Sequence, residues 1–167
     1  RDIYVAPNGS PNGSGSMSNP MNLASALRGD RIKPGATVWL RGGTYSGVFT
    51  SNLTGTASAP ITVRGFPGER AIITDNRSTG KGGTLNIFGG WTIYRDFEIT
   101  NRSQERGMFN QFRPMGLEVQ APYTKFIDLI IYDTGHGFGF WKEAVNSEIY
   151  GCIIFNGGTL NSQVALR

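Results

Sequence analysis

Few side chains in this sequence can carry chemistry, and their types limit which. His136 is the only histidine, set between glycines in Thr134–Phe140 (TGHGFGF). An imidazole can move protons near neutral pH, but a histidine between glycines also suits a plain turn. Asp96 and Asp128 align one repeat apart, and stacked carboxylates could share acid–base work or hold calcium through oxygen ligands. Corner chemistry is the other role open to them. The segment Arg102–Pro114 (RSQERGMFNQFRP) gathers Arg102, Arg106 and Arg113 with Phe109 and Phe112. Cations beside aromatics suit an anionic sugar chain, and equally a loop whose phenylalanines cover a sheet. Trp91, Tyr123 and Asn146 share one aligned column, and Trp141 follows a later strand. Aromatic faces stack on the C–H faces of sugars, so Trp91, Tyr123 and Trp141 are carbohydrate-binding candidates. An aromatic stack packed inside the molecule is the competing role.

These residues must be positioned by short strands. Glycine contributes 24 of 167 residues, without a collagen period, beside short runs of Val, Ile, Phe, Tyr and Thr. Three segments align: Trp91–Asn101 (WTIYRDFEITN), Tyr123–Asp133 (YTKFIDLIIYD) and Asn146–Asn156 (NSEIYGCIIFN). Their offsets are 32 and 23 residues, and the insertion at 102–114 accounts for the longer one. Columns match: Phe97, Leu129, Cys152; Ile99, Ile131, Ile154; Asn101, Asp133, Asn156. The lead-in strands Leu85–Phe88, Leu117–Gln120 and Phe138–Trp141 align too. Thr37–Leu40 and Ile61–Arg64 start earlier units 24 residues apart, with Thr84 a further 23 on.

A strand-built period near 21–24 residues predicts a solenoid, an all-β right-handed parallel β-helix of about five rungs. Stacked Asn and Asp at a tight corner would form a hydrogen-bonded ladder, since both tolerate left-handed backbone. Ahead of the rungs, residues 1–36 hold a strand at Asp2–Ala6, a Gly/Ser/Asn loop at 7–20 and a capping helix at Met21–Arg28. Asn19 is the expected N-cap, with Pro20 at the first helical position and Gly29 closing the helix. Residues 37–167 are then the rungs, with no C-terminal cap and a further strand beginning at Gln163–Leu166.

The opening Ile3–Pro7 (IYVAP), the helix followed by Lys33–Gly43 (KPGATVWLRGG), and Ala59–Gly68 (APITVRGFPG) resemble secreted right-handed β-helix proteins. The family is the pectate-lyase-like superfamily, with chondroitinase-B-like and alginate-lyase-like members. The resemblance implies a polysaccharide partner, a role like the first rungs of polysaccharide lyases, calcium as cofactor, and a helix that caps the solenoid. A lyase of this kind takes a proton beside a uronic carboxylate; Lys125, Lys142, Arg113 and Arg95 fit its base or its cation by type alone. Gly-His-Gly also resembles the histidine motif of polygalacturonases, although their upstream aspartate motifs are absent here.

Net charge is +4, which suits an acidic partner. The basic residues are dispersed without a recognised motif, so nucleic acid is an unlikely partner. No apolar run is long enough for a membrane span. Arg1 fits a chain whose targeting segment was removed, and an extracellular setting is expected. Asn-x-Ser/Thr occurs at Asn8, Asn12, Asn52, Asn76 and Asn101, candidate glycan acceptors in a secreted protein. A second function class stands beside the carbohydrate module: a non-catalytic solenoid that self-stacks through an open terminal rung into an extracellular filament.

Overall fold

A computed structural model describes residues 1–106 and 112–158. Three parallel sheets form the walls of a β-helix. The first holds β1 (Asp2–Ser10), β2 (Thr37–Leu40), β5 (Ile61–Gly65), β8 (Thr92–Arg95), β11 (Thr124–Ile127) and β14 (Glu148–Tyr150), stacked in that order. The second stacks β4 (Phe49–Ser51), β7 (Gly83–Ile87), β10 (Met115–Val119) and β13 (Phe138–Phe140). The third stacks β3 (Gly43–Ser46), β6 (Ala71–Asp75), β9 (Glu98–Asn101), β12 (Ile130–Tyr132) and β15 (Ile153–Phe155). Each coil visits the sheets in turn, so every ladder bond joins one coil to the next. Phe109 and the expected strand Gln163–Leu166 lie outside the described residues.

Alternation builds the core. Val38, Val63, Tyr94 and Phe126 face inward from the first sheet, Leu85 and Leu117 from the second, and Ile73, Ile99 and Ile131 from the third; all are buried. The expected columns hold, with Ile131 opposite Ile99 and Ile154, and Leu117 opposite Leu85 and Phe138. Tyr94 stacks over Phe126 at 5.6 Å. Its phenol enters the core because the hydroxyl meets Ser51 Oγ at 2.8 Å.

Two early alignments are corrected. Thr37 pairs with Thr62, not Ile61, because only that register buries both Val38 and Val63; a one-residue slip would turn one strand inside out. Thr84 belongs to β7 in the second sheet, and Ile61 pairs instead with Thr92. The helix is also shorter than expected: α1 spans Leu23–Leu27, capped by Asn22 Oδ1 accepting from Ser25 N at 2.8 Å. Asn19 instead closes a turn onto Ser16, and Met21 is drawn into a parallel bridge with Val5. The apolar face Leu23, Ala26, Leu27 is buried as its spacing requires. α1 packs on β1 and β4, and Asn52 N donates to Leu27 O. It therefore stands below β4, where another strand of the second sheet would be.

Corners repeat with the coils. Non-glycine residues with left-handed backbone fall into three columns: Trp91, Tyr123, Asn146; Asp96, Asp128; and Asp133, Asn156. Gly151 continues the second column. The polar ladder is real but short, running from Asn156 Nδ2 to Asp133 Oδ1. Asn101 does not join it. Its amide donates to Arg77 O at 2.8 Å and its Oδ1 accepts from Ser103 N at 2.9 Å. The insertion leaves the coil at that point, so the tight corner is missing there.

Candidate functional site

The first candidate site is the column that opens β8, β11 and β14. Trp91, Tyr123 and Asn146 carry φ of 55°, 55° and 56°. Asn adopts this conformation readily; bulky aromatics do not. Trp91 and Tyr123 nevertheless occupy it in adjacent coils, with ring centroids 4.0 Å apart and planes within 4°. The stack lies outside the solenoid, since Tyr123 remains 39% exposed. It borders a groove of about 470 Å³ completed by Ala57, Pro60, Ile93, Lys125, Asn146 and Glu148. Lys125 Nζ and Glu148 Oε2 pair at 3.3 Å on the exposed floor.

Magnitudes bear on why aromatics stand there. Left-handed backbone at a non-glycine residue costs on the order of 1–3 kcal/mol. A stacked aromatic pair returns about 0.5–1.5 kcal/mol. That return comes on top of the apolar area the two rings bury against each other, so the stack offsets part of the cost of the corners.

The second candidate is the base of the insertion, a cavity of about 520 Å³ beside Arg102, Arg106, Arg113 and Asp133. Arg113 is only 2% exposed, and its guanidinium donates to the backbone carbonyls of Asn101, Ser103, Glu105 and Asp133. Burial pushes its pKa down. It works as a staple for the loop, with four of its five donors engaged by these carbonyls. Arg106 pairs with Asp133 at 2.7 Å and donates to Asn156 O. Arg102 is the exposed cation of the three, near Thr44 Oγ1 at 3.4 Å. Phe112 is 64% exposed rather than packed over the sheet.

Other candidates separate. Asp96 and Asp128 do share a left-handed column, but Asp96 is taken by Arg64 and Arg95, each at 2.8 Å. Among the described residues no three His, Cys, Asp or Glu side chains gather to hold a metal ion. His136 is exposed, and its imidazole has no hydrogen-bond partner among the described residues; only its carbonyl is engaged, by Gly116 N and Thr134 Oγ1. Trp141 is exposed at the end of β13 and does not line the Trp91–Tyr123 groove. Asn8, Asn12, Asn52 and Asn76 are exposed. Asn101 is 2% exposed, and its amide donates to Arg77 O.

Sequence reading missed the groove around the aromatic pair. The Lys125–Glu148 partnership was legible, since these residues align 23 apart in the repeat. The wall from Ala57 and Pro60 was not, because it comes from a turn with no counterpart in the aligned segments.

A solenoid of three parallel sheets defines a class, the right-handed parallel β-helix proteins. Residues 3–156 match the family model "Pel9A-like, right handed beta helix region", and the chain belongs to that family. It is 38% identical over 149 residues to pectate lyase PEL9 of Emericella nidulans, covering 87% of this chain and 31% of that protein. It is 36% identical over 72 residues to the uncharacterized protein YwoF of Bacillus subtilis, covering 43% of this chain and 15% of that one. Among solved structures, pectate lyase Pel9A superposes with a TM-score of 0.65 at 24% identity, over 90% of this chain and 46% of that one. The GH136 lacto-N-biosidase of Eubacterium ramulus gives 0.76 at 17% identity, over 92% and 34%. These structural likenesses establish the fold. The chain spans about a third of the curated pectate lyase.

Proposed function

We propose that this chain forms rungs of an extracellular polysaccharide lyase directed at a uronate-rich polymer. Its 38% identity to a pectate lyase over 87% of the chain carries this reading. The net charge of +4 accords with a polyanionic partner. In the proposed reaction a base takes the proton beside the uronate carboxylate, the glycosidic C–O bond breaks, and an unsaturated sugar end remains. The base is taken to be one of the lysines or arginines, with calcium as the cation at the carboxylate. The test is incubation of the full-length protein with polygalacturonate and calcium, following the ultraviolet absorbance of the unsaturated product. A steady rise is expected. A protein that binds the polymer but never generates that absorbance would leave a binding module, and one that does neither would overturn the reading.

The second reading is end-to-end stacking into a filament through strand edges. Electron microscopy of the intact protein decides between them: filaments favour stacking, discrete particles favour the lyase.

A further inference from the structure

We propose that the groove beside Trp91 and Tyr123 is a carbohydrate subsite for a neutral pyranose chain, separate from any lyase centre. Trp91 covers one face of the Tyr123 ring. The opposite face fronts the next coil, where the same column holds the shorter Asn146 instead of a third ring. A sugar ring placed there continues the stack, with its C–H face on Tyr123. Asn146, Lys125 and Glu148 stand at the rim of the same groove with donors and acceptors for hydroxyl groups. Pro60, Ala57 and Ile93 supply apolar wall. Such a lining, apolar with a few polar groups, is typical of small-ligand sites.

Charge selects the class of sugar. The groove contains one cation and one carboxylate, paired with each other at 3.3 Å. It therefore carries no net charge to attract a uronate, and Glu148 would repel one. The arginines that suit an anion lie at the insertion, outside this groove. Two aromatics occupy a conformation that Asn146 adopts readily one coil later.

That third member of the column supplies the control. Tyr123→Asn places in the corner the residue type its neighbouring coil already uses, so the variant keeps the backbone and loses only the ring. The experiment titrates the purified protein with β-linked galactotetraose by calorimetry and Trp91 fluorescence, with trigalacturonate as the anionic comparison. Galactotetraose is expected to bind saturably with little dependence on salt. Tyr123→Asn should weaken it roughly tenfold or more, as expected on loss of an aromatic anchor, with an unchanged or raised melting temperature. The proposal is overturned if galactotetraose does not bind, or if the folded variant binds it as well as the parent. Tighter, salt-sensitive binding of trigalacturonate that Tyr123→Asn abolishes would also overturn the neutral class. Polygalacturonate cleavage by the full-length parent protein is measured in parallel, so either reading can fail alone.

Discussion

Tyr94 is the residue whose environment has the clearest thermodynamic consequence. Burial pushes its phenol from the usual 10 up to about 12. Above pH 10 an unfolded chain releases that proton while the native chain keeps it. Stability from this group is therefore full below pH 10 and falls away between pH 10 and about 12, by about 2–3 kcal/mol in all. Tyr94→Phe should blunt the alkaline limb of a pH–stability profile measured by urea unfolding. Some alkaline loss should remain, because Tyr45 is also held above its ordinary range by burial. At neutral pH the same variant should cost about 1 kcal/mol, having left the Ser51 hydroxyl without its partner. Glu69 acts at the other end of the scale. Hydrogen bonds from the Arg41 side chain and Gly42 N lower its pKa. Its contribution is present above the ordinary carboxylate range and is lost as pH falls through it. Glu69→Gln should flatten the acid limb of the same profile.

At the scale of elements, the insertion depends on one side chain. Arg113, near the end of the loop, holds the carbonyls of Asn101, Ser103 and Glu105 at its beginning and that of Asp133 at the β12 corner. Arg113→Met keeps bulk but removes every donor, and should destabilise the protein by about 3 kcal/mol. Limited proteolysis should cut the variant between residues 102 and 114 at protease levels that spare the parent. Strand positions were largely legible in the sequence, because inward columns such as Ile99–Ile131–Ile154 repeat in chemistry as well as in spacing. Register between β2 and β5 was less so. TVWL and ITVR both alternate, and only burial of the two valines decides between neighbouring registers. The site divides in the same way. The Trp91–Tyr123 column was visible as an alignment. Its outward placement was not, since ring direction depends on a positive φ that no residue-type pattern announces at Trp or Tyr. The role of Arg113 was equally hidden: a guanidinium that binds sugar and one that binds carbonyls look alike in sequence.

For the whole molecule, the strand ladders run only between successive coils, so stability is close to a sum of coil and interface terms. In the first sheet β5, β8 and β11 are covered by a strand on both sides. Hydrogen exchange should be slowest in β8, at the middle of that stack. Uniform protection across all coils would show instead that the solenoid unfolds as one unit.

Matched corners also make the chain editable. Trp91 and Tyr123 occupy equivalent positions with the same φ, and Thr92 pairs with Thr124. Excising residues 92–123 would join Trp91 to Thr124 in a junction already native to the chain at Tyr123. Arg64, which now meets Asp96, would find Asp128 in that place. Leu85 would meet Phe138 through the partner they share in Leu117. The shortened protein should keep its β circular dichroism and melt cooperatively at lower temperature, while failure to fold would mean that the excised coil is irreplaceable. A molecule that tolerates such a cut can gain or lose whole coils by simple duplication or deletion of its gene.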